Sequence, residues 1–264
     1  MKVFIVVAAA LLTGIAGAGD RKLLAIFAHP DDESTVAPIL HKYAREGVDV
    51  TVAIATDGRL GFQEHANVAV GDELAAVRRE EMKCAAEKLG VKLVHFDYHD
   101  QLRAAEGYDG HIPHVRSMLN DIAALIEAVQ PDAIITWGPD GGSNHMDHRL
   151  VGDTVTAVYL GRDWGKPVSL YFYGTPASLI EDEAARLRRG VHDEYLNVTV
   201  SYDEEDRMAA AESIRCHWSQ FTPEQFDRMI RGVPNSLGNE AAENTIRLRE
   251  FVAPQTARTS LFGN

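Results

Sequence analysis

The stretch "KLLAIFAHPDDES", Lys22 to Ser34, runs from an apolar segment straight into a histidine, a proline and three acids. The apolar run, Leu23 to Ala28, is too short for a buried helix and reads as a buried strand. The break at His29 delivers one imidazole and two adjacent carboxylates, Asp31 and Asp32, to the end of that strand. Whether this end is a ligand site depends on what the rest of the chain brings beside it.

Outward from it, the chain alternates. Residues 33–46 look helical, and "VDVTVAIAT" (48–56) is a second strand. "DELAAVRREEMKCAAEKLG" (72–90), rich in Ala, Glu, Arg and Leu, is a strong helix. "VKLVHFDY" (91–98) is a third strand, 112–129 a helix, and "DAIITWG" (132–138) a fourth strand. A helix over 146–162 and a strand "VSLYFYG" (168–174) follow. Strands alternating with helices mean βαβ units and a parallel sheet. The expected fold is α/β: a Rossmann-like, doubly wound, mostly parallel sheet in an order near 3-2-1-4-5, flanked by helices. Beyond Gly174 the pattern loosens to a strand at 195–200, a helix at 202–220, and a tail of helical pieces and loop. No repeat or linker divides the chain, so residues 19–264 read as one domain.

In open parallel sheets, ligands sit beyond the carboxyl ends of the strands, where the strand order reverses. In the order 3-2-1-4-5, strands one and four are neighbours at that point. The loop after strand one carries His29, Asp31, Asp32 and Glu33; the loop after strand four carries Asp140, His145, Asp147 and His148. Taken alone, "HPDDE" fits a helix N-terminus with acids placed for the macrodipole, and His145 and His148 fit surface histidines. Both clusters at one sheet edge point instead to a divalent ion. Two imidazoles and a carboxylate with an open position for water form a catalytic zinc shell. His29 and Asp32 supply two ligands, and one of His145 and His148 the third. Of the two aspartates, one can ligate while the other faces the bound water. His95, His99, His111 and His114 are irregularly spaced and read as loop or core histidines.

These residues resemble the PIG-L/LmbE-like family of metal-dependent N-acetylglucosaminyl de-N-acetylases. Ala28 to Glu33 match the family's Ala-His-Pro-Asp-Asp-Glu. His145-Met146-Asp147-His148 match its His-Pro-Asp-His, with Met in place of Pro. Leu74 to Glu81 are similar to its Leu-Ala-x-x-Arg-x-x-Glu helix, and His217-Trp218-Ser219-Gln220 to its His-x-Ser-Gln. The family's Thr-x-Gly-Glu turn reads Thr56-Asp57-Gly58-Arg59 here, so its acid is replaced by Arg59. The resemblance spans about residues 22–220. It implies His29, Asp32 and His148 as ligands of zinc, or of another divalent cation. It implies Asp31 as the general base, and a protonated His145 that steadies the oxyanion or protonates the leaving amine. It implies that Arg78 faces substrate and that Asp100 holds a sugar hydroxyl. The reaction implied is hydrolysis of the N-acetyl or other N-acyl amide of an amino sugar or glycoconjugate. A non-haem Fe(II) oxygenase uses a similar ligand triad, but the βαβ alternation argues against it. An exported glycan-binding protein with a structural metal would need neither Asp31 nor His145.

The 264 residues include 39 acids against 26 lysines and arginines, a formal net charge of −13. That balance argues against nucleic acid as a partner, because phosphates need a basic face. The N-terminus "MKVFIVVAAALLTGIAGAGD" has one basic residue, an apolar run and a small-x-small site at Ala16 to Ala18. It reads as a secretory signal peptide, residues 1–18. The run is shorter than a bilayer span, so the expected product is exported, periplasmic or extracellular, with no stable membrane insertion after cleavage. Cys84 and Cys216 are the only cysteines, and either a disulfide or two buried thiols suits them.

Overall fold

A computed structural model describes residues 20–232 and 244–251. The expected signal peptide, residues 1–18, lies outside them. The central sheet contains β1 (Lys22–Phe27), β2 (Asp49–Thr56), β3 (Lys92–Tyr98), β4 (Ala133–Trp137) and β5 (Ser169–Tyr173). A two-stranded bridge, β6 (Thr175–Pro176) with β7 (Gly190–Val191), stands apart. The last strands are β8 (Val198–Ser201) and β9 (Thr245–Phe251), and the seven-stranded order is 3-2-1-4-5-9-8. Pairings among β1 to β5 are parallel; β9 runs antiparallel to both β5 and β8.

The helices are α1 (Ala37–Arg45), α2 (Asp72–Leu89), α3 (Tyr108–Val129), α4 (Gly141–Asn144), α5 (Met146–Leu160), α6 (Glu183–Arg189), α7 (Glu204–Cys216) and α8 (Pro223–Gly232). One face of the sheet buries Leu23, Phe27, Val52 and Ile54 against Ile39, Met82 and Ala210 of α1, α2 and α7. The other buries Leu24, Ile26 and Ala53 against Met118, Ile122 and Val155 of α3 and α5. Each large apolar side chain so buried contributes roughly 1.5–3 kcal/mol. β1 is apolar along its length because both of its faces are covered.

Three expectations need correction. The tail contains β9, whose Ile246 and Leu248 are buried while Arg247 and Arg249 alternate with them. The helix expected at 202–220 stops at Cys216, so His217 to Gln220 leave it. The helix expected at 112–129 begins four residues earlier, at Tyr108, with Pro113 in its first turns.

Register positions the site. Ala25 is level with Ile135 across the β1–β4 pair, so β1 and β4 end together. The Phe27 and Trp137 rings meet edge to face, 5.3 Å apart. The two loops that carry acids and imidazoles therefore leave the sheet side by side, as the switch-point rule expects.

Candidate functional site

The first cluster is held by its own turn. Asp32 Oδ2 accepts the backbone N–H of Ala28 (3.0 Å) and of His29 (2.9 Å), and the indole Nε1–H of Trp137 (3.2 Å). That leaves Oδ1 to face His148 Nε2 at 3.1 Å. The second cluster is set by two glycines. A Cβ on Gly152 would lie 2.4 Å from the Trp137 carbonyl oxygen, so glycine lets α5 approach β4 closely. A Cβ on Gly142, at φ +66°, would strike the Trp137 ring, again at 2.4 Å. The chain thus folds over the indole, and the His148 ring stacks on it at 4.3 Å and 6°. His148 Nδ1 donates to the Gly141 carbonyl (2.8 Å), which leaves Nε2 as a lone pair aimed at the site.

His29 is shared between two sides. Its Nδ1 lies 3.1 Å from His148 Nε2 and 3.7 Å from Asp32 Oδ2. Its Nε2 lies 3.2 Å from both Asp100 Oδ1 and Asp147 Oδ2. Burial pulls the His29 imidazolium down, but the carboxylates of Asp100, Asp147 and Asp32 outweigh it and hold its pKa up at about 10. Burial of Asp32 is likewise outweighed, by His148 and His29, and its carboxyl is held well below the usual range.

Two donor sets could hold a cation: His29 with His145 and His148, joined by Asp32 on the same side, or His29 with Asp100 and Asp147. The chemistry of the donors separates them. Ligands about 2.0–2.1 Å from a tetrahedral zinc lie roughly 3.3 Å from one another. The 3.1 Å from His29 Nδ1 to His148 Nε2 and the 3.1 Å from His148 Nε2 to Asp32 Oδ1 are close to that spacing. On the other side, the Gln101 N–H points at Asp100 Oδ1 (2.8 Å) and Asp147 Oδ2 (2.9 Å), and a donor there opposes a cation. Asp100 and Asp147 instead bind the far nitrogen of His29, the usual carboxylate support of a ligand histidine.

Asp31 stands beside this set at φ +113°, half-buried. Its backbone N–H donates to Glu33 Oε2 (3.0 Å), and its Oδ2 pairs with Arg78 Nη2 at 3.1 Å. Burial raises its carboxyl, Arg78 pulls it back and Asp32 pushes it up, to about 6. His145 caps α5: its Nδ1 accepts the Asp147 N–H at 3.2 Å. Burial, and then the neighbouring His29 and His148, push its imidazole below the ordinary value. The structure therefore favours a neutral ring with its proton on Nε2, in place of the protonated His145 expected from sequence.

Arg78 and Asp100 are placed differently from expectation. Arg78 is 3% exposed, and its guanidinium donates to the carbonyls of Pro30 and Gly58 (3.1 Å to Gly58) as well as pairing with Asp31. It braces the turn at Pro30 and Asp31 and is not among the residues that line the crevice. Asp100 is buried, and its carboxylate is spent on His29, Leu60 N (3.0 Å) and Gln101 N, not offered to a sugar. It is aimed by Gln101, Leu102 and Arg103, three successive residues at positive φ. Arg59 pairs with Asp57 Oδ2 (2.6 Å) and Asp72 (3.0 Å), at the foot of the same loop.

Sequence reasoning gave no role to Glu33, Glu81 or Asp147, and none to the residues of the late motif. Glu33 accepts from or pairs with His217 Nε2 at 2.7 Å, both fully buried, and Glu81 accepts the N–H (2.6 Å) and the hydroxyl (2.8 Å) of Ser219. These contacts tie the segment after α7 to the turn after β1 and to α2. The signal was the motif similarity itself, since no periodicity links residues 33 and 217. A crevice of about 270 Å³ opens over the donor set, lined by Asp31, Asp32, Trp137, His148, Tyr173, Arg189 and others. A second cavity, about 230 Å³, lies at the opposite edge of the sheet beside Lys22 and Asp132 and holds no imidazole.

A Mycobacterium sp. (strain KMS) 1D-myo-inositol 2-acetamido-2-deoxy-alpha-D-glucopyranoside deacetylase is 31% identical over 195 residues, 68% of this chain. The match spans 62% of that relative's own length. Among solved structures, the N,N'-diacetylchitobiose deacetylase of Pyrococcus horikoshii superposes with a TM-score of 0.63 at 22% identity, over 88% of this chain and 84% of that one. The zinc-inhibited form of teicoplanin deacetylase Orf2 superposes at 0.67 and 17%, over 89% of this chain and 100% of that one. These two likenesses show a shared fold. Residues 24–159, more than half of the chain, match the PIG-L family model, described as GlcNAc-PI de-N-acetylase, and the chain belongs to that family.

Proposed function

We propose that this chain is a metal-dependent deacetylase that hydrolyses the N-acetyl, or another N-acyl, amide of an amino sugar or glycoconjugate. The observation that carries this reading is the convergence of His29 Nδ1 and Asp32 Oδ1 on His148 Nε2, each at 3.1 Å, with Asp31 beside Asp32. The family model and the relatives, deacetylases of N-acetylated sugars by their descriptions, support the substrate class. The two-imidazole, one-carboxylate set suits zinc, with another divalent cation as a substitute. Bound there, the ion supplies a water of lowered pKa and polarises the acyl oxygen.

The chain's own groups do the rest. Asp31, its carboxyl raised to about 6 and so ionised at neutral pH, takes the proton of the attacking water on its carboxylate. The neutral His145 offers its Nε2–H to the developing oxyanion, the preorganised donor such a step needs. Asp31, now protonated, returns that proton to the departing nitrogen, because an amide anion is a very poor leaving group. Trp137 fixes the His148 ring, and Arg78 fixes the carbonyl and carboxylate of the catalytic turn. We further propose that the protein is exported through its N-terminal segment, a reading supported by that segment's pattern and by the Cys84–Cys216 disulfide.

The test is amine release from a panel of N-acetylated sugars, with and without a chelator. Release should stop on chelation and return with zinc. Asp31→Asn should lower turnover by about 10²–10⁴-fold while the metal content stays at that of the wild type. A purified protein that holds metal yet frees no amine from any member of the panel would refute the reading.

A further inference from the structure

Among the described residues, one charged side chain lining the crevice has no partner. Its two lining acids are already engaged: Asp31 pairs with Arg78, and Asp32 with His148, Trp137 and the backbone. Arg189, the lining arginine, has no hydrogen bond or ion pair to any described residue. It ends α6, which packs against α4 at the crevice rim, and the β6–β7 bridge pairs Gly190 with Thr175, another lining residue. Arg186, one turn earlier on α6, is different: its guanidinium is spent on the Ile180 carbonyl at 2.7 and 3.0 Å. So Arg186 builds this segment, while Arg189 lines the crevice with no partner among the described residues.

The surroundings make that charge informative. The chain carries a formal charge of −13, and four carboxylates, those of Asp31, Asp32, Asp100 and Asp147, gather at the site. Arg78 and the proposed divalent ion offset these carboxylates at the reacting amide, so a separate cation on the crevice wall is left to receive an anionic group elsewhere on the substrate. A neutral sugar needs no guanidinium, whereas a carboxylate or phosphate is what its planar fork of donors fits.

We propose that Arg189 is a specificity-determining residue, and that the substrate is an N-acetylated amino sugar or glycoconjugate bearing a carboxylate or phosphate beside the sugar. This rests on the amide-hydrolysis reading above. The sugar's acyl group lies toward His148 and Asp32, and its anionic substituent reaches the α6 wall of the same crevice. The acceptor side of the substrate is thereby selected by an element outside the sheet's parallel core.

The experiment compares three probes: the neutral methyl glycoside of N-acetylglucosamine, N-acetylglucosamine 1-phosphate and N-acetylmuramic acid. Amine release gives kcat/KM for each, and calorimetry gives the dissociation constants. A charge-assisted contact predicts that at least one anionic probe is preferred over the neutral one by roughly ten-fold or more. Arg189→Gln should collapse that ratio through KM, Arg189→Lys should keep part of it, and Arg189→Glu should invert it. The preference should also fall as ionic strength rises. Phosphate and carboxylate arms identify which anion is used. Equal kcat/KM for all three probes, or a ratio that survives Arg189→Gln, overturns the proposal. Tight, Arg189-sensitive binding of an anionic probe without amine release keeps the anion site and refutes amide hydrolysis. Binding insensitive to Arg189 refutes the site whether or not amine is released.

Discussion

Asp31 sits between opposed influences. Burial and Asp32 raise its carboxyl, and the Arg78 guanidinium 3.1 Å away lowers it, leaving it at about 6. In the proposed role of general base Asp31 must be ionised to accept a proton, so on that reading kcat/KM should fall on the acid side as Asp31 is protonated. The acid limb belongs at or below about pH 6, because a divalent ion beside Asp31 adds another depressing charge. Removing Arg78 removes a stabiliser of the carboxylate, which moves the limb to higher pH. Arg78→Met should therefore shift the acid midpoint of the kcat/KM profile upward, and Arg78→Lys should shift it less. An unchanged midpoint in Arg78→Met, with metal still bound, would detach Arg78 from the base. Arg78→Met also orphans the Pro30 and Gly58 carbonyls, a cost of about 1–3 kcal/mol in stability.

At the scale of elements, α7 shows how polar contacts fix what apolar packing leaves loose. Asp203 and Asp206 form a reciprocal capping box at its start, and Asp206 also bonds His41 (2.8 Å) and Arg45 (3.1 Å) of α1. Burial of Asp206 is outweighed by Arg45, the Asp203 N–H and His41, so its carboxyl is held below the usual range. A depressed carboxyl stabilises the fold above its unfolded pKa of about 3.9, and that contribution is lost as pH falls through the folded value. Asp206→Asn should cost roughly 2–3 kcal/mol at pH 7, and the difference from wild type should shrink at pH 3. Urea unfolding at both pH values measures it; an equal loss at both would assign the effect to shape and not to charge. The same elements show what was legible in the sequence. β1, β2 and β4 were plain because both of their faces are buried, and the site followed because parallel strands in register end at one edge. β9 was missed because its alternation of Ile246, Arg247, Leu248 and Arg249 is a two-residue rhythm that antiparallel pairing with β5 and β8 completes. The inward turn of Asp100 depends on three residues at positive φ, which no local preference announces. The burial of Arg78 and the Glu33–His217 pair are contacts between residues 48 and 184 positions from their partners, and only folding brings them together.

For the whole molecule, the disulfide joins these scales. Cys84 on α2 bonds Cys216 at the end of α7, across 132 positions of sequence. Closing so long a loop constrains the unfolded chain by up to about 5 kcal/mol in the chain-entropy picture, and about 2–4 kcal/mol is typical of measurement. The next residue, His217, carries that constraint into the site. It pairs with Glu33, and Glu33 receives the N–H of Asp31. Replacing both cysteines by serine should lower unfolding stability by about 2–4 kcal/mol and, on the proposed metal reading, weaken metal retention against a chelator, because the His29–Glu33 turn loses its anchor. If retention is unchanged while stability falls, the bridge acts on the unfolded chain alone. Compartment can be read from the same bond, since disulfides persist where the surroundings oxidise. Full-length protein expressed with its N-terminal segment should be recovered outside the cytoplasm, shortened near Ala18, with both thiols closed to alkylation. Recovery in the cytoplasm at full length, with two alkylatable thiols, would refute export while leaving the site chemistry as it stands.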